Sequence, residues 1–172
     1  MASTMVDLND WPGPLRHPTV PSRVTAGRSE VNEMSVQDTE QTIREYLDAL
    51  LSGGDFASFF ADDVRWTTME TGEEIRGRES VKGFIIALHN QLFDARPELR
   101  NVTTADGVAA IEAVFVGTHI AEFAGVPATG AAVSLPYSVS YDVAGGKIEA
   151  LRAYFPIMAL VQQLKDAAAV PA

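Results

Sequence analysis

Three side chains in this sequence could move a proton or steady a developing negative charge. Glu112 lies in the run "AAIEAVFVG", the one acid in the middle of an apolar strand pattern. With a period of two it shares a face with Ala110, Val114 and Val116. An apolar hollow disfavours the charged form of a carboxyl group, and a carboxylic acid so placed is a competent general acid or base. The plainer alternative turns Glu112 outward, or pairs it with Arg100 or Arg152 across a sheet. Tyr137 falls between Leu135 and Val139. Its phenol could donate to a substrate carbonyl or a developing enolate; equally, it could be a core tyrosine with a satisfied hydroxyl. His119 could shuttle a proton. It could instead brace the following "GVPATG" turn, and this structural role is favoured because no partner for it is legible in the sequence. His89 adjoins Leu88 and is expected near the surface or at the mouth of a pocket.

These residues must be positioned by surrounding elements, and two hydrophobic periods divide the chain. Up to about residue 92 the period is helical. Ile43, Tyr46, Leu47, Leu50 and Leu51 form one stripe, with Asp38 or Thr39 as the N-cap and Gly53-Gly54 as the stop. A helical turn "DFASFF", a strand "DDVRWTTME" and a brief return strand in "TGEEIRG" follow. A further helix, "RESVKGFIIALHNQLF", places Val81, Phe84, Ile85, Leu88 and Leu92 on one side. After Pro97 the period becomes two. "ELRNVTT", "VAAIEAVFVGTHI", "AAVSLPYSVSYDV" and "GKIEALRAYF" read as successive strands. In the third of these, Val133, Leu135, Tyr137, Val139, Tyr141 and Val143 make one clean face. Pro136 cannot donate to a ladder, so a bulge or a sheet edge is expected there. Ala144-Gly145-Gly146 predicts a tight hairpin. Pro156 opens a last helix with Ile157, Leu160, Val161 and Leu164 on its stripe.

Bulk properties narrow the function. The chain has 172 residues, 47% of them hydrophobic, which suffices for one domain with a real core. Its net charge of -10, without a basic cluster, argues against nucleic acid or an anionic membrane as partner. There is no cysteine, and His17, His89 and His119 are scattered, so no metal site is expected. No apolar run has the length of a membrane span, and no signal-peptide stretch opens the chain; a cytoplasmic location is the default. Residues 1–37 read as a flexible arm, 38–166 as the folded domain and 167–172 as a disordered tail. Within the arm, Trp11 and Leu15 could dock on a partner subunit. A purine-rich coding run across Ser29-Glu30-Val31 would make Met34 the natural start if the source is bacterial.

The segments "GTHIAEFAGVPATGAAVSL", "GGKIEALRAYF" and "LVQQL", with the earlier "SFFADDVRW" and "GRESV", resemble the SnoaL-like polyketide cyclases of the nuclear transport factor 2-like superfamily. The resemblance spans about residues 39 to 165. It implies an α+β cone, in which a strongly curved, mostly antiparallel sheet wraps N-terminal helices and a short C-terminal helix closes the domain. It further implies no cofactor and a homodimer through the outer sheet face, where Arg152 is expected. Such cyclases place an aspartate where this chain has Pro156. The related limonene epoxide hydrolases carry acids in a W-R-D-Y-F-D run that here reads Leu151-Arg152-Ala153-Tyr154-Phe155-Pro156. Their first-strand Tyr and Asn correspond to Trp66 and Thr68, and their middle-strand Arg and Asp to Glu112 and Val114.

The resulting expectation is a cofactor-independent cyclase or isomerase acting on an apolar polycyclic or polyketide-like small molecule in secondary metabolism. Glu112, Tyr137 and His119 are its candidate catalytic groups. Trp66, Thr68, Leu47, Leu50, Leu88, Leu135, Leu151, Ala153 and Phe155 are expected to line the pocket. With the family aspartates absent, catalysis by shape alone is a second reading. An epoxide hydrolase-like enzyme and a non-catalytic small-molecule-binding protein are the remaining alternatives.

Overall fold

A computed structural model describes residues 35–169. The element order is α1 (Val36–Ser52), a 3-10 turn (Phe56–Phe59), β1 (Phe60–Thr68), β2 (Glu73–Arg76) and α2 (Arg78–Ile86). A wide π-helical turn (Ala87–Leu92) continues α2. Then come β3 (Phe93–Ala105), β4 (Val108–His119), β5 (Ala132–Ala144), β6 (Lys147–Tyr154) and α3 (Ile157–Ala169). The six strands form one curved, unclosed sheet in the order β2-β1-β6-β5-β4-β3. Every pairing is antiparallel except β1 with β6. No helix among the described residues is long and apolar enough to cross a membrane.

The helix starts three residues before the expected cap. Ser35 is the N-cap of α1, and its Oγ accepts from the Asp38 backbone N–H at 3.2 Å. Thr39 serves a different purpose: its Oγ accepts from Gly107 N at 3.0 Å, tying α1 to the β3–β4 turn. Gly53, at φ 73°, ends α1 in the left-handed conformation. Thus Val36 and Gln37 belong to α1 rather than to the arm, and α3 runs to Ala169, past the expected end of the domain. The rest of the arm, with Trp11, Leu15 and the Met34 start, lies outside the described residues, as do residues 170–172.

The inner face of the sheet and the apolar stripes of the helices make a single core. Ile43, Tyr46 and Leu47 of α1 and Val81 and Ile85 of α2 are buried against it. On β5 the alternation holds as expected: Val133, Leu135, Val139, Tyr141 and Val143 are buried and Tyr137 nearly so, while Ser134 and Pro136 are exposed. Pro136 lies where β5 has run past the end of β6, whose last pair is Ser138 with Tyr154. That is a sheet edge on one side, where a missing N–H leaves no ladder bond unmade. Gly145 and Gly146 take φ 55° and 71° in the two-residue turn that joins β5 to β6.

On β4 the expected faces are inverted. Ala109, Ile111, Ala113 and Phe115 point into the core. Ala110, Val114 and Val116 lie on the outer face with Glu112, and Glu112 is exposed. Its cross-strand neighbours are Asn101 and Ser138, rather than Arg100 or Arg152. The cause is compositional: both faces of β4 are apolar, so alternation does not say which one turns inward.

Candidate functional site

Seven elements and their flanks converge on one interior cavity. α1 supplies Tyr46, Leu47 and Leu50; β1 supplies Trp66; α2 and its wide turn supply Ile85, Leu88 and His89. The sheet adds Pro97, Ile111 and Phe115 from β3 and β4, then Tyr137, Val139 and Tyr141 from β5. Ala153 and Phe155 close the floor. The cavity holds about 40 Å³, room for roughly three waters. A larger cleft of about 610 Å³ lies against it and shares Leu50, Ile85, His89 and Pro97 as a common wall. Asp55, Lys82, Asn90 and Arg96 give that outer cleft its polar side.

Of the expected lining, Leu47, Leu50, Trp66, Leu88, Ala153, Phe155 and Tyr137 meet here. Leu135 and Leu151 do not line the cavity; they are buried in the packed core. Thr68 is also buried behind the lining, where its Oγ accepts from the Trp66 indole N–H at 3.1 Å and so fixes the ring that does face the cavity. The expectation that Glu112 sits in this hollow is overturned by the inverted faces of β4, and among the described residues no carboxylate lines it.

His119 is fully buried yet does not reach the cavity. Its Nδ1 accepts from the Thr129 backbone N–H at 3.2 Å and contacts Thr129 Oγ at 3.0 Å. That leaves the proton on Nε2, which is sealed without a hydrogen-bond partner among the described residues. The His119 backbone N–H donates to Ala131 O, and Gly130 N–H donates back to His119 O. The geometry is that of a loop brace rather than a proton shuttle.

The polar groups facing the cavity are three phenols and an imidazole. Tyr46 and Tyr141 pack edge to face at 5.7 Å. Tyr137 packs against Phe155 at 5.4 Å. Burial, foremost, holds all three phenols above their ordinary range, so they remain neutral donors. His89 stacks on Phe115 at 5.6 Å with 27° between the rings, and burial pushes its imidazole down to about 4. At neutral pH the site is therefore uncharged throughout: it can donate hydrogen bonds to an oxygen and accept a proton at an imidazole.

Tyr46 and Tyr141 are the chemistry-bearing residues that the sequence reading left out, and His89, expected near the surface or at the mouth of a pocket, was given no chemical role. Each carried a signal. Tyr46 lies on the stripe of α1, Tyr141 shares the clean face of β5 with Tyr137, and His89 follows Ile85 of α2 by four residues, in the wide turn.

Comparison with known proteins agrees with this architecture. The SnoaL-like polyketide cyclase family matches residues 41–164. No curated protein matches the chain in sequence. A protein from Jannaschia sp. CCS1 assigned as a SnoaL-like polyketide cyclase superposes with a TM-score of 0.68 at 20% identity, over 86% of this chain and all of that one. AclR from Streptomyces galilaeus, assigned as a hydroxylase, gives 0.65 at 17% identity over 80% of this chain and 100% of its own. A protein from Kribbella flavida assigned as a ketosteroid isomerase gives 0.55 at 22% identity, over 70% of this chain and 79% of that one. At such identities these neighbours show the shared fold alone. The family match covers most of the chain, and the chain belongs to the SnoaL-like polyketide cyclases.

Proposed function

We propose that this protein is a cofactor-independent cyclase or isomerase for an apolar, carbonyl-bearing substrate of polycyclic or polyketide-like skeleton. The observation that carries the reading is the lining itself: an apolar cavity whose chemistry-bearing groups are neutral phenols and a neutral imidazole, with no carboxylate. Tyr137 donates its hydroxyl hydrogen to the substrate carbonyl oxygen and holds the enolate that forms there. The packed Tyr46–Tyr141 pair offers a second donor from the α1 side. Apolar walls fix the substrate in a near-attack geometry and supply the orientation part of the acceleration. A polycyclic ligand exceeds the 40 Å³ interior, so its bulk would lie in the outer cleft and only its carbonyl end would reach past Leu50, Ile85, His89 and Pro97 toward Tyr137.

A Δ5-3-ketosteroid is a suitable first probe, since its isomerisation is followed by absorbance of the conjugated enone; polycyclic β-ketones extend the panel. Tyr137→Phe should lower kcat by roughly 10²- to 10³-fold with little change in binding. Glu112→Gln should leave both unchanged. Turnover that survives Tyr137→Phe would instead favour catalysis by shape. The absence of an acid favours a second reading, a small-molecule-binding protein of the same fold; binding of these ketones without any turnover would establish it. An epoxide hydrolase-like mechanism lacks the buried acid it needs among the lining residues.

A further inference from the structure

The imidazole of His89 is the one basic group on the cavity wall among the described residues. Four placements single it out. It occupies the wide turn Ala87–Leu92 that follows α2, where the helix departs from its regular repeat. Its ring lies flat against Phe115, which fixes its plane. It belongs to the wall between the interior cavity and the outer cleft, so a ligand passing from one to the other passes over it. Finally, neither of its ring nitrogens has a hydrogen-bond partner among the described residues, and neither is sealed off as His119 Nε2 is. With neither nitrogen engaged, the ring has a lone pair free to accept a proton on the wall that the cavity and the cleft share.

We propose that His89 is the proton acceptor of this site, doing the work that an aspartate would otherwise do. The inference rests on the reading of the protein as an enzyme for carbonyl substrates, and it names that reading's base. The imidazole lone pair takes a proton from the carbon beside the carbonyl. The C–H electron pair becomes the enolate double bond, and the carbonyl π pair moves onto the oxygen held by Tyr137. The imidazolium returns its proton at a second carbon in isomerisation, or to the new alkoxide after the enolate carbon has closed a ring. Charge arises only as a pair, imidazolium beside enolate, so the uncharged cavity carries no isolated ion.

The titratable and charged groups around His89 are Asp55, Lys82 and Arg96 in the outer cleft and Tyr46, Tyr137 and Tyr141 in the cavity. None of the three phenols is charged at neutral pH. Activity that depends on neutral His89 is therefore constant from pH 8 to about 5 and falls below that as the ring protonates near 4.

The test needs no native substrate. 5-Nitrobenzisoxazole loses its ring C–H proton to a base while the N–O bond breaks, its electron pair leaves on oxygen, and the coloured 2-cyano-4-nitrophenolate forms. Wild type, His89→Gln and Tyr137→Phe are assayed from pH 3.5 to 8, with circular dichroism verifying the fold. Nitrogen NMR of wild-type His89, with and without the unreactive 5-nitrobenzoxazole, provides a readout that survives a poorly folded variant. The expected results are a loss of about 10²-fold in kcat/KM for His89→Gln, a wild-type half-value near pH 4, and a shift of the His89 nitrogens on adding the benzoxazole. Undiminished turnover in folded His89→Gln would overturn the assignment and leave the enzyme reading standing. Benzoxazole binding without wild-type turnover would also overturn it, and would favour the binding protein. Neither binding nor turnover would overturn both.

Discussion

His89 and His119 differ in what surrounds their rings, and the difference decides their uses. His119 spends its Nδ1 on the Thr129 backbone, and its Nε2 is sealed in the core. His89 is only partly exposed, but both nitrogens remain unengaged. The apolar setting of His89 has a consequence for stability as well as for chemistry. Its imidazole is held at about 4, against about 6.5 in an unfolded chain. Between those values the unfolded state binds more protons, so stability falls as the pH is lowered through that window. The contribution of the neutral ring is fully present above the upper value. By the lower one it has declined by at most about 3 kcal/mol. Urea midpoints measured from pH 7.5 to 4 should therefore fall more steeply for wild type than for His89→Gln. Parallel curves would show that the ring is not held neutral.

At the scale of elements, legibility followed the contrast between faces. β5 was readable because Ser134, Ser138, Ser140 and Asp142 oppose an apolar row, so the inward face and Tyr137 on it followed from the sequence. β4 was not, because Ala110, Val114 and Val116 are as apolar as Ala109, Ile111 and Phe115. The candidate acid Glu112 was lost with that choice of face. The stripe of α2 was visible, but the wide turn that carries Leu88 and His89 together onto the cavity is a tertiary adjustment without a periodic signature. Gly117 near the end of β4 is a related case. Its φ lies in no left-handed region, yet a β-carbon there would overlap Ala95 and the carbonyl of Asp94. The need for glycine comes from how closely β3 approaches, which one strand's sequence does not disclose. Gly117→Ala should cost about 1–3 kcal/mol, as other overpacked sites do, and because Phe93 of β3 packs on both Phe115 and His119 it should loosen that end of the sheet. Chemical denaturation measures the first effect, and faster amide exchange along Phe93–Pro97 the second.

At the scale of the whole molecule, the face that misled the reading of β4 raises the question of what covers it. Val108, Ala110, Glu112, Val114 and Val116 of β4 lie on the side of the sheet away from the helices, beside Pro136, Ser138 and Ser140 of β5. Val108 is 46% exposed and Tyr154 of β6 is 51% exposed on the same side. Small and β-branched side chains make this surface shallow enough to take another sheet against it. Arg152 and Asp142 flank it in a bidentate pair at 2.6 and 2.7 Å, and each guanidinium bond is matched by a carboxylate oxygen. Glu112 apart, the centre of this face is apolar and its margin carries a paired charge, which is the composition of a homodimer interface, whose typical size is about 800 Å² per partner. We expect the protein to be a homodimer through this face, with a mass in light scattering of twice the 18.5 kDa chain. Val114→Asp adds a second carboxylate beside Glu112, opposite Pro136, where burial without a partner is costly. It should raise the dimer dissociation constant at least ~10-fold and leave the cavity on the other side of the sheet unaltered. A wild-type mass of one chain at micromolar concentration, or an unchanged dimer in the variant, would assign the apolar row on β4 to sheet pairing alone.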